Sequence, residues 1–340
     1  MKAVRIDSTG AVAVVEVPVP AIGPGEALVR PRVSGICGSD LLDWYARRKA
    51  GTILGHELAG EILAVGEGVT EWSPGDRVVP HHHAPCFACR ECEAGQYVHC
   101  ATWRSSQLDP GGMAEAVRIP AGNLSRDTQK IPDGVSDEEA SFTEPLATVL
   151  KAFRRGRFAA GRSFLCVGLG TAGQLAVRVA RASGAIGVAA ADRVGSRLAL
   201  ARASGADGLV DVGGEALAEG ARRLSQGRGF DFVFVCPGKS DVIREALLTV
   251  APGGTLLVFT MAPPGEIWPV DLYELYFREI AVVPSYSCGP DDTREALAAI
   301  ASRRIAVADL VSHRFGIADA VAAFARAREP EGSMKVVIAL

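Results

Sequence analysis

The chain has 340 residues, of which 48% are hydrophobic and 22% charged, so it carries enough apolar material for buried cores. Domains usually run to about 100–200 residues, and the length therefore predicts two domains. A formal net charge of −3 and a pI near 6.1, without any basic run, argue against nucleic acid as a partner.

Charged residues stand at the start of the chain (Lys2, Arg5 and Asp7), where a secretory signal would need an apolar core. No apolar run approaches the roughly 20 residues that a membrane helix needs. We therefore expect a cytoplasmic protein with no membrane partner, whose eight cysteines are reduced. Where reduced cysteines cluster, they indicate a metal site.

Short apolar runs between glycines and prolines fill about the first 140 residues, which is typical of a compact β-rich domain. Strands are predicted at 11–17, 26–30, 58–65 and 77–79. Within this half, Cys37, Ser39, His56 and Glu57 bring a thiol, a hydroxyl, an imidazole and a carboxylate close together in sequence. Zinc accepts thiolate, imidazole and carboxylate ligands, and three protein ligands leave a fourth position for substrate. The stretch therefore predicts a catalytic metal site.

A second cluster has the spacing C-x2-C-x2-C-x7-C and consists of Cys86, Cys89, Cys92 and Cys100. Four thiolates close a tetrahedral zinc shell, which leaves no position for chemistry, so the cluster predicts a structural zinc. An iron–sulfur cluster is the alternative.

Three consecutive histidines, His81 to His83, precede the cysteine cluster. On a strand they would alternate faces, so they are not predicted to serve one metal together. The remaining cysteines stand alone near predicted strands and are expected to be structural: Cys166, Cys236 and Cys288.

Near Thr143-Glu144-Pro145-Leu146 the pattern changes to strands alternating with helices, which predicts a parallel sheet covered by helices. A helix leads through 151–158, and the last strand of the alternation is predicted at 279–287. Helices at 291–302 and 317–328 then precede a closing strand at 334–340.

A glycine-rich turn follows the first strand of this half and opens a helix; its residues are Gly168, Leu169, Gly170, Thr171, Ala172 and Gly173. The first glycine permits a tight turn, the second lets the backbone approach a pyrophosphate, and the third allows close helix–strand packing. Asp192 ends the next strand, where it can accept hydrogen bonds from the adenosine ribose and would repel a 2′-phosphate. The pattern predicts a dinucleotide site that prefers NAD, with NADP as the alternative because Arg193 is adjacent.

These motifs, together with Gly111 to Glu115 and Glu144-Pro145-Leu146, resemble in their order the zinc-dependent medium-chain dehydrogenases of the alcohol dehydrogenase superfamily. The sorbitol and threonine dehydrogenase branch is most similar, because Glu-Pro stands where classical alcohol dehydrogenases place a cysteine ligand. The resemblance implies an α/β protein with a GroES-like β-rich catalytic domain, residues 1–145 completed by 288–340. Residues 146–287 would form a Rossmann doubly wound parallel-sheet domain. Two zinc ions per chain are implied, one catalytic and one structural.

By position, the resemblance implies that Cys37, His56 and either Glu57 or Glu144 bind the catalytic zinc. It places Ser39 on the substrate hydroxyl, Arg197 near the adenosine and Thr148 near the nicotinamide. It also implies that the sheet edge at 279–287 pairs between subunits, in a homodimer or homotetramer.

His56 and Glu57 would point to opposite faces of a regular strand, so Gly55 would have to supply an irregular turn. If both glutamates, the thiolate and the imidazole bound one zinc ion, the shell would be full with a net charge of −1. We therefore predict that one glutamate yields to water or substrate, or stays one water away.

Hydride transfer from a secondary alcohol to the nicotinamide is the predicted reaction, with a polyol, sugar, cyclitol or amino-alcohol as substrate and a ketone as product. A histidine of the family's proton relay is replaced by Leu42, so ribose and water, Asp43 or Tyr45 would carry the proton. Threonine 3-dehydrogenase-type activity is the alternative; a zinc-free NADPH reductase and a non-catalytic nucleotide sensor are two more.

Overall fold

A computed structural model describes residues 1–340, which divide into two compact units. The first unit comprises residues 1–147 and 288–340, and the second comprises residues 148–287. None of the helices combines the length and the apolar character that a membrane span requires.

The elements follow one another along the chain in three groups. Up to the first helix that enters the second unit they are β1 (Lys2–Ile6), β2 (Val12–Glu16), β3 (Ala27–Gly35), α1 (Asp43–Arg48), β4 (Leu58–Val65), β5 (Arg77–Pro80), α2 (Arg90–Glu93), α3 (Ala101–Ser105), β6 (Val117–Ile119), α4 (Ala121–Asp127), β7 (Thr128–Lys130), α5 (Asp137–Ala140) and α6 (Thr143–Arg155). The second unit continues with β8 (Phe164–Val167), α7 (Thr171–Ala182), β9 (Val188–Asp192), α8 (Gly195–Ala203), β10 (Gly208–Asp211), α9 (Leu217–Leu224), β11 (Phe230–Val235), α10 (Ser240–Leu247), β12 (Val250–Val258), α11 (Leu272–Phe277) and β13 (Ala281–Pro284). The chain ends with α12 (Pro290–Ala301), β14 (Val311–Gly316), α13 (Ala320–Arg328) and β15 (Lys335–Ala339).

A seven-stranded sheet organises the first unit, in the order β14-β15-β3-β4-β5-β7 with β6 paired to β3. Its central strand β3 is antiparallel to both β4 and β15. Val337 of β15 lies opposite Gly35 of β3, so the last strand of the chain is an interior strand of the sheet built by the first residues. Apolar residues of β3 and β4 pack into one core cluster, and those of β15 pack with α13 into another.

The second unit contains a six-stranded parallel sheet in the order β10-β9-β8-β11-β12-β13. This order, 3-2-1-4-5-6 within the unit, is that of dinucleotide-binding folds, which bind their ligand where the winding direction reverses beside the first strand. Phe153, Phe164 and Phe232 stack with ring centroids 5.4–6.1 Å apart and hold α6 against the sheet.

The predicted α/β fold class, with one β-rich part and one parallel-sheet part, is confirmed. Two predicted boundaries are wrong for identifiable reasons. The helix predicted to reach residue 158 ends at Arg155, because Arg157 takes a left-handed φ of 53°. The edge strand predicted at 279–287 is only Ala281–Pro284, since Glu279 and Ser287 both have positive φ.

Candidate functional site

Cys37 caps a short 3₁₀ turn, Gly38–Leu41, at the end of the segment that follows β3. Its sulfur accepts hydrogen bonds from the Ser39 hydroxyl at 3.2 Å and from the Ser39 backbone N–H at 3.4 Å. Both hydrogen bonds fix the position of the sulfur, and a cysteine sulfur is a ligand that zinc accepts.

His56 and Glu57 lie in a bend that directly precedes β4, not in the strand itself. Gly55 makes the bend possible, because its φ is +100° and a Cβ there would lie 2.4 Å from the Met113 backbone nitrogen. The irregular backbone places both side chains on one side. Ligand atoms of Cys37, His56 and Glu57 consequently lie within 4.8 Å of one another, and we call these three residues the first ligand set.

The His56 imidazole and the Cys37 sulfur are electrostatically coupled. Burial disfavours the charged imidazolium, yet the Cys37 sulfur raises the pKa of His56 to about 10. A metal ion that binds both groups takes the place of this proton.

Glu57 also forms a buried ion pair with Lys335, the first residue of β15; their side chains are 3% and 2% exposed. The lysine ammonium donates a second hydrogen bond to the Ile36 carbonyl at 3.1 Å. Gly35 makes room for the pair, because a Cβ at that position would lie 2.3 Å from the Glu57 carboxylate and 2.6 Å from the lysine side chain. Sequence reasoning missed Lys335, which begins the strand sequence KVVIA, because the pairing of β15 with β3 brings it beside Glu57.

Glu144 lies in the first turn of α6 and does not belong to the first ligand set. Its carboxylate lies within 4.8 Å of ligand atoms of His81 and Cys288, and we call these three residues the second ligand set. Burial raises the pKa of Glu144, and the nearby Glu57 carboxylate acts in the same direction. The expectation that Cys288 is isolated is wrong, since its sulfur lies 3.6 Å from His81 Nε2.

A small cavity connects the two sets. It is lined by His56, Glu57, Leu58, Val79, Pro80, His81, Gln129, Ser141, Thr143, Glu144 and Thr293. One carboxylate and one imidazole of each set therefore face the same space.

The three consecutive histidines lie beyond β5, which ends at Pro80, so strand alternation does not govern them. The rings of His82 and His83 are 4.1 Å apart, and Trp103 lies 4.1 Å from His83 on the other side. Burial lowers the pKa of His83 to about 3 and that of His82 well below its ordinary value. These two histidines are neutral at physiological pH and pack as aromatic groups.

The four cysteines at Cys86, Cys89, Cys92 and Cys100 converge on one point. The sulfur of Cys92 lies 3.9 Å from that of Cys86 and 3.5 Å from that of Cys89, and the sulfurs of Cys86 and Cys100 are 3.6 Å apart. Zinc–sulfur bonds of about 2.3 Å in a tetrahedron separate the sulfurs by roughly 3.8 Å. The geometry therefore suits a single ion, whereas an iron–sulfur cluster would hold the thiolates around several iron atoms. The surrounding apolar cluster is small, so the lobe has little else to order it.

In the second unit, the glycine loop forms the turn between β8 and α7. Gly168 has a φ of +86°, Gly170 is the N-cap of α7, and a Cβ on Gly173 would lie 2.0 Å from the Gly168 carbonyl oxygen. A Cβ on Gly170 would meet nothing within 4 Å, so this glycine keeps the approach to the helix N-terminus open.

Asp192 lies at the end of β9 and supports the loop. Its carboxylate accepts hydrogen bonds from the backbone N–H of Leu169 at 2.6 Å and of Val194 at 3.0 Å. The Gln174 amide, missed in the sequence, donates to the carbonyls of Leu169 and Arg197 and ties the loop to the start of α8. The other predicted contacts are placed on helices, Arg197 half-buried on α8 and Thr148 half-buried on α6.

Comparison with known proteins agrees with both units. Residues 23–133 match the family profile of the alcohol dehydrogenase GroES-like domain, and residues 172–302 match that of zinc-binding dehydrogenases. Sorbitol dehydrogenase of Mus musculus is 32% identical over 94% of this chain and 90% of its own. The chain belongs to the zinc-binding alcohol dehydrogenase family. It is an oxidoreductase of the medium-chain type, with a GroES-like domain and a Rossmann-like domain, and its cofactors are zinc and a nicotinamide dinucleotide.

Two other relatives fit this assignment. L-threonine 3-dehydrogenase of Rhizobium rhizogenes is 31% identical over 89% of this chain and 88% of its own. A crystal structure of a zinc-binding dehydrogenase from Sinorhizobium meliloti 1021 bound to NADP superimposes with a TM-score of 0.89 at 28% identity. That similarity covers 100% of this chain and 99% of the other.

Replacing one cysteine of the four-cysteine lobe tests whether the lobe holds a metal for stability. Cys86→Ser is expected to remove about one zinc ion per chain and to lower the melting temperature, because a three-thiolate shell no longer orders the lobe. Metal analysis and thermal denaturation measure both effects. The control Cys236→Ser, outside the lobe, keeps its zinc; unchanged zinc content in Cys86→Ser would contradict the assignment.

Lys335→Met is expected to destabilise the protein by about 3–5 kcal/mol, because Glu57 is left as an uncompensated buried charge. The double variant Glu57→Gln with Lys335→Met should recover much of this loss. Chemical denaturation of the wild type, of the single variants Lys335→Met and Glu57→Gln, and of the double variant gives the coupling energy. Arg32→Met, which breaks the surface pair with Glu61, serves as the control and should change stability little. Equal effects of Lys335→Met and Arg32→Met would show that the buried pair is not structurally important.

Gly170 and Gly173 provide a matched pair for the dinucleotide loop. Gly173→Ala should lower thermal stability, because its Cβ collides with the Gly168 carbonyl, whereas Gly170→Ala should leave stability unchanged. Gly170→Ala should instead weaken NADH binding, measured by fluorescence titration, since its methyl group occupies the path of the pyrophosphate. Wild-type NADH affinity in Gly170→Ala would refute this role.

Proposed function

We propose that this enzyme oxidises a secondary hydroxyl of a polyol, sugar, cyclitol or amino-alcohol to a ketone, with transfer of hydride to NAD. The observation that carries the proposal is the first ligand set, in which a thiol, an imidazole and a carboxylate converge within 4.8 Å. Zinc held by Cys37, His56 and Glu57 would supply a Lewis acid that lowers the pKa of the bound hydroxyl. The amino-alcohol option, a threonine 3-dehydrogenase-type activity, is supported by the Rhizobium relative.

Ser39 positions the substrate hydroxyl in this proposal. Its own hydroxyl donates to the Cys37 sulfur, which leaves its oxygen lone pairs to accept a hydrogen bond from the substrate hydroxyl. Of the two residues that could replace the missing relay histidine at Leu42, Asp43 is paired with Arg328 at the surface. Tyr45 is the better candidate, because the Lys49 ammonium lies 4.7 Å from its ring and binds the buried Asp40.

Glu57 is the glutamate that we assign to the zinc, and Glu144 faces the shared cavity without binding the same ion. Lys335 supports this choice. Its ammonium group forms a buried ion pair with the Glu57 carboxylate and so offsets the charge of one of the two glutamates at the site.

We assign residues 1–145 with 288–340 as the catalytic domain and 146–287 as the dinucleotide-binding domain, in which residues 168–173 and Asp192 contact the cofactor. NAD is favoured over NADP because the Asp192 carboxylate is held at the loop by two backbone N–H groups, where it would repel a 2′-phosphate. Arg197 is assigned to the adenosine and Thr148 to the nicotinamide. A reducing, cytoplasmic location fits the eight unbridged cysteines.

Variants of the first ligand set test the reaction. Cys37→Ser and His56→Ala should abolish NAD-linked oxidation of a panel of polyols, cyclitols and L-threonine, while circular dichroism and NADH binding stay unchanged. Ser105→Ala, on α3 away from the first ligand set and the glycine loop, is the control and should keep full activity. The same panel with NADP measures the cofactor preference.

A Cys37→Ser protein with wild-type turnover would disprove the zinc mechanism and favour the zinc-free reductase. A wild-type protein that binds NADH but oxidises no alcohol would favour the nucleotide sensor.

The dinucleotide-binding unit also carries the surface that we assign to a homodimer or homotetramer. Strand β13 is an edge strand of the sheet, and α11 and the segment before it expose large apolar side chains. The exposed residues are Ile267, Leu272, Tyr273, Tyr276 and Phe277, each at least 66% accessible.

The double variant Tyr276→Glu with Phe277→Glu should convert the oligomer to a smaller species, because buried carboxylates oppose association. Size-exclusion chromatography with light scattering measures the mass. Val321→Glu, at an exposed apolar position of α13, is the control and should not change the mass. An unaltered mass in the double variant would place the interface elsewhere.

A further inference from the structure

His81 and Glu144 line the same small cavity, into which two residues of the first ligand set also face. The Glu144 carboxylate and a ring nitrogen of His81 lie within 4.8 Å of each other. At such a separation an imidazole can donate to a carboxylate directly or through one bridging water. His81 is therefore placed to act on Glu144, the second carboxylate that faces the candidate zinc centre.

His81 is held in one orientation by hydrogen bonds to its ring and to its backbone. Its Nδ1 lies 2.8 Å from the Asp127 carboxylate, whose other oxygen accepts the Thr293 hydroxyl at 2.6 Å. Its backbone N–H donates to the Asp127 carbonyl at 2.8 Å, and its carbonyl accepts from the Asn123 amide at 3.1 Å. Because Nδ1 is engaged, the ring turns its Nε2 edge to the other residues of the second ligand set, with the Cys288 sulfur 3.6 Å away.

The residues that hold His81 are buried and come from two helices. The side chains of His81 and Asp127 are 2% and 1% exposed. Asp127 ends α4 and Thr293 lies in the first turn of α12, so the packing of two helices sets the direction of the ring. A buried polar network that is paired in this way makes a site rigid. Proteins use such outer hydrogen bonds to orient the groups that surround a metal ion.

We propose that His81 is a positioning residue of the metal centre. Fixed by Asp127 and Thr293, its ring holds the Glu144 carboxylate at the cavity, facing the ion that the first ligand set would bind. This inference rests on the proposed function, because it gives Glu144 a place beside the same ion. The competing explanation is a buried network that only joins α4 to α12 and has no effect on Glu144.

A double-mutant cycle distinguishes the two explanations. His81→Phe and Glu144→Gln should each lower kcat/KM for an alcohol that the wild type oxidises by about 10–100-fold. The double variant should be little worse than Glu144→Gln alone, because His81 acts through Glu144. The control is His83→Phe, the same change at a buried ring bonded to the Ser106 carbonyl, and its effect should add to that of Glu144→Gln. Additive effects of His81→Phe and Glu144→Gln would overturn the proposal.

Cobalt gives a measurement that does not depend on turnover. Co²⁺ is loaded at the first ligand set while zinc stays in the four-cysteine lobe, and the spectrum of Cys37→Ser treated alike is subtracted. His81→Phe should shift the remaining d–d bands in the same direction as Glu144→Gln does, whereas His99→Phe, at an exposed position, should leave them unchanged. Unshifted bands in His81→Phe would contradict the positioning role. A protein that oxidises no alcohol still gives this spectrum, so failure of the proposed function and failure of this inference are distinguishable.

Asp127→Asn provides a second route in case His81→Phe perturbs the fold. The amide keeps the size of the side chain but has one oxygen, so it cannot serve His81 and Thr293 from two separate oxygens. In a variant that retains the wild-type circular dichroism, kcat/KM should fall and the cobalt bands should shift as in Glu144→Gln. Wild-type kcat/KM together with an unshifted spectrum would refute the role of the fixed ring.

Discussion

The buried ion pair between Glu57 and Lys335 connects residues that are 278 positions apart in the sequence. Each charge would be strongly destabilising in this position without the other, so the bend before β4 and the start of β15 are stable only together. Pairing of β15 with β3 brings the lysine into place, and the missing side chain of Gly35 leaves the volume that the pair occupies. The C-terminal strand is therefore part of the candidate metal site as well as of the sheet.

This pair also changes the electrostatics expected from the sequence. Cys37, Glu57 and Glu144 would give a zinc ion three anionic ligands, a combination that weakens it as a Lewis acid. The structure separates the two glutamates, one in each ligand set, and places an ammonium group on Glu57. A carboxylate that shares its charge with a lysine would donate less electron density to a metal, so zinc held by this ligand set would polarise a substrate hydroxyl more strongly.

Features formed by residues that are close together in the sequence were predictable, and contacts between distant parts of the chain were not. The glycine loop, the four-cysteine lobe and the alternation of strands and helices each depend on residues within a few positions of one another, and local geometry suffices for them. Gly55 was also inferable, since adjacent ligands require an irregular backbone there. Lys335 and Cys288 were not, because their partners come from strand pairing and helix packing between opposite ends of the chain. An isolated cysteine or lysine in sequence therefore says little about isolation in space.

The pKa of each buried histidine likewise depends on which residue the fold places beside it. His56 faces the Cys37 sulfur and His81 faces the Asp127 carboxylate, and in both the partner raises the pKa against the effect of burial. His82 and His83 have no anionic partner of this kind, and burial lowers their pKa values. The His82 ring lies 5.0 Å from the His56 ring and 4.7 Å from the His81 ring, so the two histidines with anionic partners are both in contact with a histidine that burial keeps neutral.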